Sequence, residues 1–136
     1  MSDKEKIIKK LRKSAMSYLA RYEVSVHQFE NTMKRKLSYL KANLDNLDEI
    51  NIISTIRDEM VLAKFIDDKR FAETKIRSIR QQGGSERFIY GKLKEKGISN
   101  NIIKCAIYTV DEGHENAEMI AALNFIKKKN IGVYYK

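Results

Sequence analysis

The sequence predicts an all-α protein of tandem three-helix repeats, two complete plus the first helix of a third, stacked into an elongated and curved body. Three observations predict it. Apolar residues recur every three or four positions along nearly the whole chain, which is the helical period. The 136 residues contain no proline, the residue that breaks helix interiors. Serine, aspartate and glycine stand at the intervals where helices must start and stop.

The first helix is expected from about Lys4 to Tyr22, with Ile7, Ile8, Leu11, Ala15, Tyr18, Leu19 and Tyr22 on one face. Ser25 reads as an N-cap and Gln28, three residues on, completes a capping box. Val26, Phe29, Met33 and Leu37 then form one apolar stripe. Asp48 is placed to cap a third helix carrying Ile52, Ile53, Ile56, Met60 and Ala63. A second cycle opens at Asp67-Asp68, whose carboxylates suit the positive end of a helix. That helix buries Phe71, Ala72, Ile76 and Ile79 and stops at Gly83-Gly84. Ser85 starts a fifth helix with Ile89 and Leu93, ended by Gly97. Ser99 starts a sixth, with Ile102, Ile103, Ala106, Ile107 and Val110. A seventh is expected over about Glu115 to Lys129, with Ala117, Ile120, Ala121 and Phe125, and the apolar tail 131–136 is left unassigned.

The cycle repeats. A shift of 60 positions places Ser25 on Ser85, Phe29 on Ile89, Met33 on Leu93, Lys34 on Lys94 and Lys36 on Lys96. Shorter shifts carry Ala15 onto Ala72 and Ala72 onto Ala117. The first cycle holds extra residues around Ser38–Leu47, so the shifts differ. The expected divisions are a basic N-terminal helix extension at 1–13, a first three-helix repeat at 14–66 and a second at 67–111. A truncated third repeat, one helix and a tail, would occupy 112–136. Units of this kind stack their apolar faces and present a long surface, better suited to a groove or filament than to a small molecule.

Composition narrows the function. Apolar residues at 43% and charged residues at 33% describe a globular chain. The formal charge of +9 favours acidic partners. The single cysteine, Cys105, excludes an internal disulfide and fits a reducing, cytoplasmic setting. No apolar run of transmembrane or signal-peptide length follows the lysine-rich start, so no membrane is expected.

Catalytic chemistry finds little support. Gly83-Gly84 lacks the Gly-Lys-Ser/Thr continuation of a phosphate loop. His27 and His114 are isolated and read as surface or capping residues. Cys105 falls on the apolar side of the sixth helix and reads as a small core residue before a nucleophile. Asp67 and Asp68 could ligate a cation, but capping explains them with fewer assumptions. No catalytic residue, metal or cofactor is expected.

The basic residues carry more information. Lys4, Lys6, Lys9, Lys10, Arg12 and Lys13 stand against the single acid Glu5. From Lys69 to Lys96 the cations Lys69, Arg70, Lys75, Arg77, Arg80, Arg87, Lys92, Lys94 and Lys96 outnumber Glu73, Glu86 and Glu95. Arg70, Arg77 and Arg80 recur near helical spacing, and guanidinium forks match phosphate or carboxylate oxygens two at a time. Any single lysine is adequately explained as a solvated face; the run as a whole reads as collective anion binding. The candidate contacts are Arg70, Lys75, Arg77, Arg80, Arg87, Lys92, Lys94 and Lys96. Contact with nucleic acid would go mostly to backbone phosphates, single- or double-stranded, and would weaken with salt.

The string Phe65-Ile66-Asp67-Asp68-Lys69-Arg70-Phe71-Ala72, at the junction of two helical cycles, resembles the RecX family of recombination regulators. Downstream, Gly84-Ser85, Ile89, Leu93-Lys94, Lys96 and Gly97-Ile98 are similar to that family's second repeat. Upstream, Tyr18-Leu19-Ala20-Arg21-Tyr22 followed by Ser25 resembles its first-repeat entry. The resemblance covers about Ser14 to Val110 and, more weakly, the helix up to Lys129. It implies tandem three-helix repeats that lie in the groove of a bacterial RecA–DNA filament and restrain its ATPase and strand-exchange activities in DNA repair, recombination and the SOS response. It supplies no catalytic residues. Asp67, Asp68, Arg70, Phe71 and Ala72 match its motif, Phe71 and Ala72 as packing, the aspartates as caps and Arg70 as packing or contact. The extra residues near Ser38–Leu47 and the single-helix third unit depart from the pattern, and imply a shorter and weaker grip. The expected state is a monomer. Two other readings stay open: a small basic DNA-binding regulator or architectural protein without recombinase contact, and an adaptor for an acidic protein.

Overall fold

The computed structural model describes residues 3–40 and 44–112, together with Leu123, Phe125 and Ile126. Six helices occupy that stretch: α1 (Asp3–Arg21), α2 (Val26–Tyr39), α3 (Asn46–Leu62), α4 (Asp68–Gln81), α5 (Glu86–Glu95) and α6 (Asn100–Asp111). Among the described residues there is no strand. The helices divide into two three-helix units, one ending at Asp67 and the other beginning at Asp68. The expected seventh helix and the tail lie outside the described residues, apart from Leu123, Phe125 and Ile126, which are helical.

The first unit closes over Leu11 and Ala15 of α1, Phe29, Met33 and Leu37 of α2, and Ile52, Ile53, Ile56 and Met60 of α3, with Val24 and Ile66 from the connections. The second closes over Phe71, Ala72 and Ile76 of α4, Ile89 and Leu93 of α5, and Ile103, Ala106 and Ile107 of α6, with Ile98. In this unit α6 packs mainly against α4. Each helix brings one apolar stripe and no helix could bury its own, so the core forms only when three meet.

α1 runs unbroken across position 13, and Leu11 is fully buried in the first unit's core. Three expectations are corrected. Tyr22 is 57% exposed, because α1 ends at Arg21 and the ring falls past the apolar stripe. Ala63 is exposed at the C-cap of α3. Cys105 is exposed, lying between the buried positions Ile103 and Ala106 on the outward side of α6.

The helix starts follow the side-chain capping rule. The Gln28 N–H donates to Ser25 Oγ at 3.2 Å and the Ser25 N–H donates back to Gln28 Oε1 at 3.0 Å, so both halves of the capping box form. Phe88 N–H donates to Ser85 Oγ at 3.2 Å and Ile102 N–H to Ser99 Oγ at 3.3 Å. The third helix starts three residues earlier than expected: Asp45 is its cap, accepting from Asp48 N–H at 2.8 Å, and Asp48 sits in the first turn.

The helix ends share a second device. After α4, Gly84 N–H donates to Ile79 O at 2.8 Å and Gly83 N–H to Arg80 O at 3.0 Å, with Gly83 at φ +87°. After α5, Ile98 N–H donates to Leu93 O and Gly97 N–H to Lys94 O, with Gly97 at φ +76°. Both are Schellman closures, in which a left-handed residue turns the chain and satisfies the last carbonyls. Ile98 and Leu93, both buried, supply the apolar contact that accompanies the motif. α3 ends in the same way, Phe65 N–H donating to Met60 O at 2.9 Å and Lys64 N–H to Val61 O at 3.0 Å, but here the left-handed residue is Lys64 at φ +63°. A Cβ in that conformation costs about 1–2 kcal/mol.

Arg12 and Glu59 tie α1 to α3. Arg12 Nε donates to Glu59 Oε2 at 2.8 Å and Nη2 to Oε1 at 2.9 Å. The hydrogen bonds hold the Glu59 carboxyl below its ordinary 4.5 and raise the Arg12 guanidinium further.

Two outcomes follow. Lys64→Gly removes the left-handed penalty and should raise stability by about 0.5–1 kcal/mol in urea unfolding, glycine's greater freedom in the unfolded chain offsetting part of the gain. Arg12→Ala should destabilise by no more than about 1 kcal/mol at neutral pH, because the two side chains are 41% and 40% exposed. Glu59 has a depressed folded pKa, so its contribution is present above 4.5 and fades as pH falls through the lower value. The urea midpoints of the wild type and Arg12→Ala should therefore converge below pH 4.5.

Candidate nucleic-acid interface

The junction motif sits where α4 begins. Asp67 immediately precedes the helix and Asp68 is its first residue, both half-buried. Phe71 and Ala72 are in the core, 2% and 0% exposed, and serve packing. Arg70 is exposed, one residue ahead of the buried pair.

The eight candidate cations do not behave alike. Arg70 and Arg77 are two helical turns apart on α4 and therefore share its outward face. Arg77, exposed, lies 3.6 Å from the half-buried Glu73 one turn back on the same helix, a contact worth only a few tenths of a kcal/mol. Lys75 is exposed, with its ammonium 5.7 Å from the centre of the Phe71 ring. On α5, Arg87 and Lys94 are exposed and lie seven residues apart on one face, and neither has an ion-pair partner among the described residues. The Lys92 ammonium lies 5.5 Å from the centre of the half-exposed Phe88 ring. Lys96 is half-buried at the C-cap of α5.

Arg80 is taken out of this set. Its Nη2 donates to Asp111 Oδ2 at 2.8 Å, its Nε to Oδ1 at 3.3 Å and its Nη1 to Gly84 O at 3.3 Å. The Arg80 side chain is 10% exposed and that of Asp111 is 20% exposed. One guanidinium thus joins the end of α4, the turn after it and the end of α6. Helical spacing groups Arg80 with Arg77, but the rotation between them carries Arg80 to the edge of the core.

α5 also carries an open groove of about 530 Å³, lined by Ser85, Arg87, Phe88, Gly91, Lys92 and Glu95. Gly91 faces open space and bares the helix backbone at its centre. A neighbouring hollow of about 440 Å³ is formed by Ile79, Gln82, Gly83, Gly84, Ser85, Phe88 and Phe125. Phe88 and Gly91 are not among the residues that the sequence singles out. A phenylalanine one position before the core residue Ile89, and so off the apolar stripe, is the signal that points to Phe88.

Among the described residues no group of three or more His, Cys, Asp or Glu could hold a metal ion. His27 is exposed, with its Nε2 3.3 Å from Asn31 Nδ2, and His114 lies outside the described residues. Among the described residues no helix is long and apolar enough to cross a membrane.

Known proteins share this second unit. Residues 67–107 match the family model described as "RecX, second three-helix domain". A protein named Regulatory protein RecX from Myxococcus xanthus is 26% identical over 126 residues, covering 91% of this chain and 66% of its own length. One of the same name from Lactobacillus johnsonii is 31% identical over 102 residues, covering 72% of this chain and 33% of the relative. Another, from Mycolicibacterium vanbaalenii, is 32% identical over 66 residues, covering 48% of this chain and 36% of the relative. The chain thus spans between about a third and two thirds of the length of these relatives. No solved structure matches it.

The two arginines should separate in experiment. Arg80→Ala should lower stability by about 2 kcal/mol in urea unfolding, between the surface and fully buried limits for an ion pair. Arg77→Ala should change it by less than about 0.5 kcal/mol. The matched three-helix unit, with Asp67 to Ala72 at its entrance, and three relatives sharing one name make this chain similar to the RecX family of regulatory proteins.

Proposed function

We propose that this chain binds the RecA recombinase–DNA filament and restrains its ATPase and strand-exchange activities, as the resemblance to recombination regulators implies. One observation carries the reading. The unit matched as a RecX second three-helix domain turns Arg70 and Arg77 of α4, and Arg87 and Lys94 of α5, outward from its core. Guanidinium and ammonium groups on an outward face suit carboxylates of a protein surface or phosphates of the DNA it coats. On this reading 14–66 and 67–111 are the first two repeats, 112–136 begins a third, and the chain acts as a cytoplasmic monomer without cofactor or catalysis. The role of Arg80 moves from binding to holding the unit together.

A second reading, a basic DNA-binding regulator with no recombinase contact, is favoured by the same outward cations taken alone. RecA ATP turnover on single-stranded DNA separates the two. With increasing amounts of the chain at moderate salt, turnover should fall. Charge reversal at Arg70 and Arg77 should weaken that effect by about tenfold in the concentration required, the scale of one to two charge-assisted contacts. Unchanged turnover contradicts the proposal and leaves the second reading standing.

A further inference from the structure

The first unit holds a cationic groove that lies outside the candidate residues of the second. It is an open hollow of about 550 Å³ between α1 and the end of α2, lined by Lys10, Lys13, Arg21, Lys36, Tyr18 and Tyr22, with two serines and Leu40 completing its wall. Among the described residues no acid lines it. Among the described residues none of the four cations has an ion-pair partner, although Lys4 and Arg12 on the same helix α1 are paired with Asp48 and Glu59. Arg21 and Lys36 are also the basic residues in the last turns of α1 and α2, where they complement the partial negative charge of the helix ends. Lys10 and Lys13 are one turn apart along α1 and are not explained in that way.

The aromatic pair gives the groove a second property. Tyr18 is half-buried and its hydroxyl oxygen accepts from Thr32 Oγ1 at 3.3 Å, which fixes its ring against α2. Tyr22 is 57% exposed, its ring centre 5.5 Å from that of Tyr18 and tilted by 47°. An exposed ring braced by a fixed one, beside four unpaired cations, offers a flat apolar face within reach of an anionic chain. Acidic peptides offer the charge but no complementary flat face. Duplex DNA offers phosphates but keeps its bases stacked. Single-stranded nucleic acid offers both.

We infer that this groove is a binding site for a short stretch of single-stranded nucleic acid, with backbone phosphates on Lys10, Lys13, Arg21 and Lys36 and one base stacked on Tyr22. The inference rests on the first unit alone and stands whether or not a recombinase is the partner.

The test is fluorescence anisotropy of a labelled thymidine 12-mer with the full chain and no recombinase present. The single strand should bind more tightly than a duplex of equal length. Tyr22→Ala should weaken it about tenfold, the scale of one stacked base, while Tyr22→Phe, which keeps the ring, should stay within about twofold. Lys10→Glu with Lys13→Glu should make the salt dependence shallower by about 1.4 in log–log slope, about 0.7 for each phosphate left unneutralised. Tyrosine emission, readable because the chain has no tryptophan, should be quenched by the oligonucleotide less in Tyr22→Ala than in the wild type. Equal affinity for duplex, equal competition by polyglutamate, or indifference to both Tyr22→Ala and the lysine reversal would each overturn the inference.

Discussion

Each three-helix unit is tied across by one arginine of its first helix, bidentate on an acid in the last turn of its third. In the first unit the pair is Arg12 with Glu59, and in the second Arg80 with Asp111. An acid at a helix C-terminus is disfavoured by the partial negative charge already there, so each carboxylate needs its cation. With the pair made, the third helix cannot slide or rotate against the first without stranding a charge. The pairs differ in depth. Arg80 and Asp111 are 10% and 20% exposed, whereas Arg12 and Glu59 are each about two-fifths exposed, so the second unit depends on its pair more heavily.

Two groups stand out among the chain's basic residues. Lys4, Arg12, Arg57 and Arg80 face acids and serve the fold, Arg57 bridging Glu30 and Asp58. Arg87 and Lys94 on α5, and Lys10, Lys13, Arg21 and Lys36 around the first unit's groove, face no acid among the described residues. Cations with no acid opposite them are what an anionic partner requires.

Helices are legible in this sequence because their signals are local. Ser25, Ser85 and Ser99 cap as spacing demands, and Gly83 and Gly97 turn the chain where only a residue without a Cβ does so cheaply. Local rules also explain the misses. Asp45 and Asp48 are both competent caps, and the sequence offers no way to choose between them until the packing of α3 fixes its start. Lys64 turns the chain after α3 with no glycine to mark the place. Arg80 is indistinguishable by spacing from Arg70 and Arg77, because its partner Asp111 lies 31 positions away, beyond any periodicity. The groove of the first unit is hidden for the same reason: Lys36 reaches it from α2, and Tyr22 reads as core because it continues a stripe that the helix does not extend far enough to bury.

The likeness to RecX proteins follows from the second unit's match and the shared name of three relatives, and the filament as partner follows from neither by itself. The most direct measurement is the affinity of the fluorescently labelled chain for preformed RecA filaments on single-stranded DNA, compared at one salt concentration with its affinity for the same DNA uncoated. A filament regulator should bind the filament more tightly, and charge reversal at Arg70 and Arg77 should weaken that binding in a protein that still unfolds at the wild-type urea midpoint. Equal affinity for coated and uncoated DNA, or filament binding indifferent to those arginines, would contradict it.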